Sequence, residues 1–156
     1  MSDLGAWLPH TGPARLVTRV VEVGPDAIVC EGTVPLQSPY SSGSGCPTWV
    51  GVELAAQAAA LLEAHTHETT LVSTRPTGYL VRVRDVRCAR PTFPPETLLR
   101  VRVERLSAAV PLFVYAISVG LDGVELLRGQ ISTYLAAPPD EVPAAPAAQT
   151  SRKQNH

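Results

Sequence analysis

Apolar and polar positions along this chain change period twice, and the changes divide it into elements. Residues 15–23 and 27–34 are two β-rich runs separated by Gly24-Pro25-Asp26, a turn composition that predicts a hairpin. Residues 35–47, rich in Pro, Ser and Gly, read as a loop. After it, Thr48 is placed to cap a helix that begins at Trp49 and runs to about Glu63 or Ala64. From Gly78 the pattern turns β again, over residues 78–87, 97–105, 112–119 and 124–135. In the second of these, Leu99, Val101 and Val103 alternate with Arg100, Arg102 and Glu104 at period two, as a half-buried strand requires. Asp122-Gly123 between the last two runs predicts a tight antiparallel turn.

Within the helical run the stretch VGVELAAQAAALL is apolar or small nearly all round, so the helix must be buried rather than lie on a surface. Wrapping the predicted antiparallel strands around one such helix gives an α+β domain: a central helix enclosed by a curved antiparallel sheet, the hot-dog arrangement. The domain is expected to span residues 1–136. Residues 137–156, dominated by Ala and Pro with almost no large apolar side chain, are expected to form a disordered tail.

Composition narrows the function classes. The 156 residues are 45% hydrophobic and 17% charged, enough for one packed core. A formal net charge of −1 gives no excess of Lys and Arg with which to neutralise nucleic-acid phosphates, so no nucleic-acid partner is expected. Arg82, Arg84, Arg87, Arg90, Arg100 and Arg102 gather in one stretch, either as a basic patch for an acidic protein or as the solvated outer faces of strands. Three cysteines without metal-ligand spacing indicate neither a disulfide framework nor a zinc site. No apolar run approaches a membrane span and the N-terminus carries no secretory pattern, so a cytoplasmic location is expected.

The helix carries two polar side chains between Val50 and Leu62, Glu53 and Gln57, four apart and therefore on one stripe. A carboxylate in apolar surroundings must be paired, hydrogen-bonded or protonated, because leaving it bare costs several kcal/mol. From the residues alone Glu53 is either a functional group or half of a buried pair with Arg15 or Arg19. The first backbone N–H groups of the helix, at Trp49 and Val50, lack intrahelical partners and carry partial positive charge suited to an oxyanion. Gly51 permits close approach there, of a ligand or of the sheet. His10 stands between Pro9 and Pro13 in a stiff loop before the first strand. His65 and His67 beside Glu63 and Glu68 read as a polar helix end rather than a metal site, and Cys46 as a small packing residue.

The run LPHTGPARLVTRVVEV resembles the opening of the bacterial β-hydroxyacyl-acyl-carrier-protein dehydratases, through Leu8, Pro9, His10, Pro13, Leu16, Val17, Arg19 and Val20. Glu53, Ala56 and Gln57 match the same family's central helix, and GYLVRVRDVRCARPTFPPETLLRVRVE is similar to its following strands. The helix start, CPTWVGVELAAQ, looks closest to the dehydratase-like proteins of aryl polyene biosynthesis. The loop SPYSSGSGCPTW departs from the His-Phe-Pro-Gly of the fatty-acid enzymes, Thr18 replaces an aspartate, and Pro95-Glu96 replaces Gly-Asp.

The resemblance implies a hydro-lyase that converts 3-hydroxyacyl groups on acyl carrier protein to trans-2-enoyl thioesters in fatty-acid-like or polyene biosynthesis. His10 and Glu53 would be catalytic; Trp49, Val50, Gly51 and Gln57 would bind substrate or support the site. It implies no metal and no cofactor. It also implies a dimer, homo- or heterodimeric with another hot-dog chain, in which histidine and acid come from different subunits. A hot-dog thioesterase, needing the helix carboxylate but not His10, and a non-catalytic partner subunit are the alternatives.

Overall fold

The computed structural model describes Leu4 and residues 7–43, 45–67 and 77–136. Two strands, β1 (Val17–Val23) and β2 (Ala27–Gly32), precede the two-residue β3 (Cys46–Pro47) and the helix α1 (Gly51–His67). After the helix come β4 (Thr77–Cys88), the two-residue β5 (Thr92–Phe93), β6 (Leu99–Ala109), β7 (Leu112–Leu121) and β8 (Val124–Ala136). The long strands form one six-stranded antiparallel sheet in the order β1-β2-β6-β7-β8-β4. Because β4 follows α1 yet borders β8, the chain crosses from the helix to the far edge of the sheet.

The helix lies on the inner face of this sheet, which is the hot-dog arrangement. Leu54, Ala55, Ala58, Leu61 and Leu62 pack with Ile28 and Cys30 from β2, Val101 and Val103 from β6, Tyr115, Ile117 and Val119 from β7, and Leu127 and Ile131 from β8 in one buried cluster. Burial pushes the Cys30 thiol up to about 12. In β6, Leu99, Val101 and Val103 are buried while Arg100, Arg102 and Glu104 are exposed, as their alternation predicts. Asp122 and Gly123 both adopt positive φ, 50° and 79°, the backbone of a tight primed hairpin turn.

Burial of α1 is not complete. Val52, Glu53, Ala56, Ala60 and Ala64 are half-buried, a stripe at helical spacing that sheet and loops leave partly open. The difference from all-round burial matters, because the carboxylate lies on this stripe. At its other side the helix presses on the end of β2: a Cβ at Gly32 would collide with the Leu16 carbonyl oxygen and stand 2.6 Å from Leu54 Cδ1. Glycine there lets the first turns of α1 come against the chain leading into β1, the stretch that carries His10.

Two boundaries shift. A 3-10 turn, Thr48–Val50, precedes α1, so the α-helix proper starts two residues after Trp49 and continues to His67. Thr48 caps no backbone N–H through its side chain; its own N–H instead donates to the Pro91 carbonyl at 2.9 Å. The expectation for residues 137–156 lies outside the described residues.

Candidate active site

Gln57 organises the site. Its side chain is 1% exposed, and its carbonyl oxygen accepts the Leu16 N–H at 2.8 Å and the Val17 N–H at 3.2 Å. Its amide nitrogen donates to the Ala14 carbonyl at 2.9 Å and to Glu53 Oε1 at 3.0 Å. Both lone pairs and both protons of the amide are thereby used, so a buried polar group costs nothing in lost hydrogen bonds. These bonds tie the second turn of α1 to the start of β1 and fix the direction of Glu53.

His10 reaches the same place from the loop. Leu8 is buried in the core, and a 3-10 turn at Gly12–Ala14 closes through Arg15 N–H on the Gly12 carbonyl at 3.1 Å. Gly12 holds φ at 55°, a backbone that favours glycine. His10, between these two anchors, sets Nε2 at 3.1 Å from Glu53 Oε1, with the side chains 34% and 25% exposed. His10 Nδ1 is enclosed and has no hydrogen-bond partner among the described residues, so Nε2 is the nitrogen turned to the carboxylate. Of the two arginines considered as partners for Glu53, Arg15 and Arg19, Arg19 bonds to Glu31 at 2.6 Å. Histidine and acid thus meet within one chain. The Gln57 clamp joins both segments of the same chain.

The remaining site residues lie at the start of the helix. Trp49 is 58% exposed, whereas the Val50 side chain is wholly buried, leaving only its backbone to meet a ligand. A Cβ on Gly51 would stand 3.2 Å from Val119 Cγ2 and 3.5 Å from Leu127 Cδ1, so this glycine serves helix-on-sheet packing. Its N–H closes the 3-10 turn on the Thr48 carbonyl and is already engaged. Of the six site residues read from the sequence, His10, Glu53 and Gln57 converge, and Trp49, Val50 and Gly51 form the adjoining turn.

Sequence reasoning passed over two features. Tyr40, in the loop before the helix, packs half-buried against the core. Desolvation raises its phenol, and the Glu53 charge raises it further. At the far end of α1, Glu63 Oε1 accepts hydrogen bonds from Tyr115 Oη at 2.7 Å and Arg105 Nε at 3.1 Å. Arg105 also donates to Thr66 Oγ1 at 3.0 Å and Asp26 Oδ1 at 3.2 Å. Burial, then the Glu63 hydrogen bond and charge, raise the Tyr115 phenol far above its ordinary range.

Comparison with known proteins places these features. Residues 2–144 match the ApeP-like family, described as ApeP dehydratase. The chain is 29% identical over 155 residues to the 3-hydroxyacyl-[acyl-carrier-protein] dehydratase FabZ of Solibacter usitatus (strain Ellin6076), covering 94% of this chain and 91% of that protein. Its structure is similar to a chain of the dehydratase heterocomplex ApeI:P from Xenorhabdus doucetiae, with a TM-score of 0.78 at 24% identity over 86% of this chain and 91% of that one. A hypothetical thioesterase protein with coenzyme A from Streptococcus pneumoniae TIGR4 matches with a TM-score of 0.57 at 9% identity, over 76% and 84% of the two chains. The structural matches carry the shared fold.

Proposed function

The chain belongs to the ApeP-like dehydratase family, and from that premise we propose that it removes water from a 3-hydroxyacyl thioester held on acyl carrier protein, giving the trans-2-enoyl thioester. The observation that carries the reading is the 3.1 Å contact between His10 Nε2 and Glu53 Oε1, held in place by Gln57. Elimination of water needs one group to accept the α-proton and another to supply a proton to the departing oxygen. A histidine and a carboxylic acid with one proton between them do both. Nε2 takes the α-proton, the C–H electron pair forms the C=C bond, and Glu53 hands its proton to the β-oxygen as the C–O bond breaks. When water has left, the proton returns from Nε2 to Oε1 across the contact. The N–H groups of Trp49 and Val50, at the positive end of α1, receive the thioester carbonyl.

A second reading is favoured by one observation: residues 35–47 hold no histidine where the fatty-acid enzymes carry His-Phe-Pro-Gly. In it, this chain is the supporting half of a pair of hot-dog chains. Either reading needs a partner, and β4 supplies the surface. It is an edge strand exposed almost throughout, and its Tyr79, Leu80, Val81 and Val83 are 42–55% exposed. An unpaired apolar edge of this length calls for a second sheet to cover it. Light scattering is expected to give the mass of a dimer, or of a heterodimer once the second chain is present; a fully active monomer contradicts this.

The proposed location is cytoplasmic, and no helix among the described residues is long and apolar enough to cross a membrane. Formation of the enoyl thioester from a 3-hydroxyacyl-carrier substrate tests the function. Rapid thiol release with no enoyl product would instead fit a thioesterase.

A further inference from the structure

An open hollow of about 400 Å³ lies at the end of the sheet nearest the helix start, lined by Ala89, Arg90, Leu121, Asp122, Val124 and Leu126. Three sets of contacts place it there. Gly51 packs on Val119 and Leu127, and Leu121 follows Val119 by two residues on β7, about 7 Å along the strand. Leu126 precedes Leu127 on β8, and its carbonyl accepts the Ala89 N–H at 2.8 Å, which joins the segment after β4 to this end of the sheet. The Pro91 carbonyl, one residue beyond Arg90, accepts the Thr48 N–H at 2.9 Å. The hollow therefore adjoins the turn whose Trp49 and Val50 N–H groups are proposed to hold the thioester carbonyl.

Its lining combines three kinds of group. Leu121, Val124 and Leu126 supply apolar surface, and Val124 is left 61% exposed. Arg90 comes from the segment after β4. Asp122 comes from the β7–β8 turn, where its own positive φ and that of Gly123 hold the backbone in one shape. Neither charged side chain forms an ion pair among the described residues. A cation without a countercharge beside uncovered apolar side chains suits a ligand that is anionic at one point and branched-aliphatic next to it. The outer end of a pantetheine arm has that chemistry: a phosphate ester, then a carbon bearing two methyl groups, then a hydroxyl and an amide.

We infer that this hollow binds the phosphate-bearing end of the pantetheine arm that carries the acyl group. Arg90 donates to the phosphate, Leu121 and Val124 cover the two methyl groups, and Asp122 accepts from the hydroxyl. Like charges stay apart, because the carboxylate meets the uncharged part of the arm while the phosphate remains at Arg90. The inference rests on the dehydratase reading for the presence of a thioester at the helix start.

The test measures binding of one non-hydrolysable 3-hydroxyacyl amide to the full chain. The wild type is expected to bind the amide of phosphopantetheine about tenfold more tightly than that of pantetheine, the worth of one charge-assisted hydrogen bond. Arg90→Gln is expected to erase that gain, leaving affinity for the pantetheine amide and the melting temperature unchanged. Arg82→Gln, an exposed arginine of β4 outside the hollow, is expected to keep it. No gain in the wild type, a gain that survives in Arg90→Gln, or an equal loss in Arg82→Gln overturns the inference. The same amide on coenzyme A and on acyl carrier protein separates the two sources of the arm. The source whose binding weakens in Arg90→Gln is the one the hollow serves, and weakening with neither overturns the inference. Enoyl formation by the wild type is scored separately. A chain that holds the phosphate through Arg90 but forms no enoyl product keeps the hollow and removes the dehydratase reading; enoyl formation without any phosphate gain does the reverse.

Discussion

Glu53→Gln and His10→Ala are each expected to lower enoyl formation from a 3-hydroxyacyl-carrier substrate by about 10²- to 10⁴-fold, the usual worth of a positioned acid or base. Glutamine at position 53 is nearly isosteric and can still accept the Gln57 amide on its carbonyl, so the link from α1 to the start of β1 survives. What it cannot do is give a proton to the leaving oxygen. His10 is about one-third exposed and its Nδ1 is unbonded among the described residues, so its removal opens no core cavity and leaves no donor stranded. Both variants should therefore melt close to the wild type while losing turnover. The thioesterase reading predicts another pattern, in which Glu53→Gln abolishes thiol release and His10→Ala scarcely matters. Turnover of both variants near that of the wild type, with the wild type active, would remove the pair from the chemistry.

Arg105→Ala is expected to cost about 3–5 kcal/mol of stability, the usual penalty for stripping the partner from a buried charge. Arg105 and Glu63 are 11% and 7% exposed, and the guanidinium ties Glu63 and Thr66 of α1 to Asp26 of the β1–β2 turn. Without it the Glu63 carboxylate stays in the protein interior and loses the guanidinium. Arg102→Ala supplies the control: Arg102 and Glu104 are each 52% exposed, and such a pair contributes about 0–1 kcal/mol. Urea unfolding of the two variants checks the contrast. Equal losses would mean that the network at the far end of α1 does not hold the helix.

These two ends of α1 differ in how far the sequence showed them. Residues whose role follows from period or local backbone were legible: the alternation in β6, the Asp122-Gly123 turn, the apolar helix, and Glu53 with Gln57 on one stripe. The family resemblance added His10 and the hot-dog frame. What stayed hidden depends on contacts between distant segments. Nothing in the period of residues 77–88 says that β4 crosses to the edge beside β8, since strand order is a property of the whole sheet. Gln57 was readable as polar, but its bonds to Ala14, Leu16 and Val17 span about forty positions. Arg105 continues the inward parity of Leu99, Val101 and Val103, but its partner Glu63 lies 42 positions away on α1, which period alone does not show. Tyr40 sits in a Pro- and Ser-rich loop, where composition signals a turn and conceals the hydrogen bonds that brace the ring.

The most direct test of the central claim runs the reaction backwards. The chain, alone and then with a second hot-dog chain, is given a trans-2-enoyl-carrier thioester in D₂O, and the product is read by mass spectrometry. A dehydratase that works through His10 and Glu53 adds a hydroxyl at the β-carbon and one deuterium at the α-carbon, with the thioester intact. It does so without the second chain. Free acid and free thiol, or an unchanged enoyl thioester until the second chain is supplied, would contradict the account.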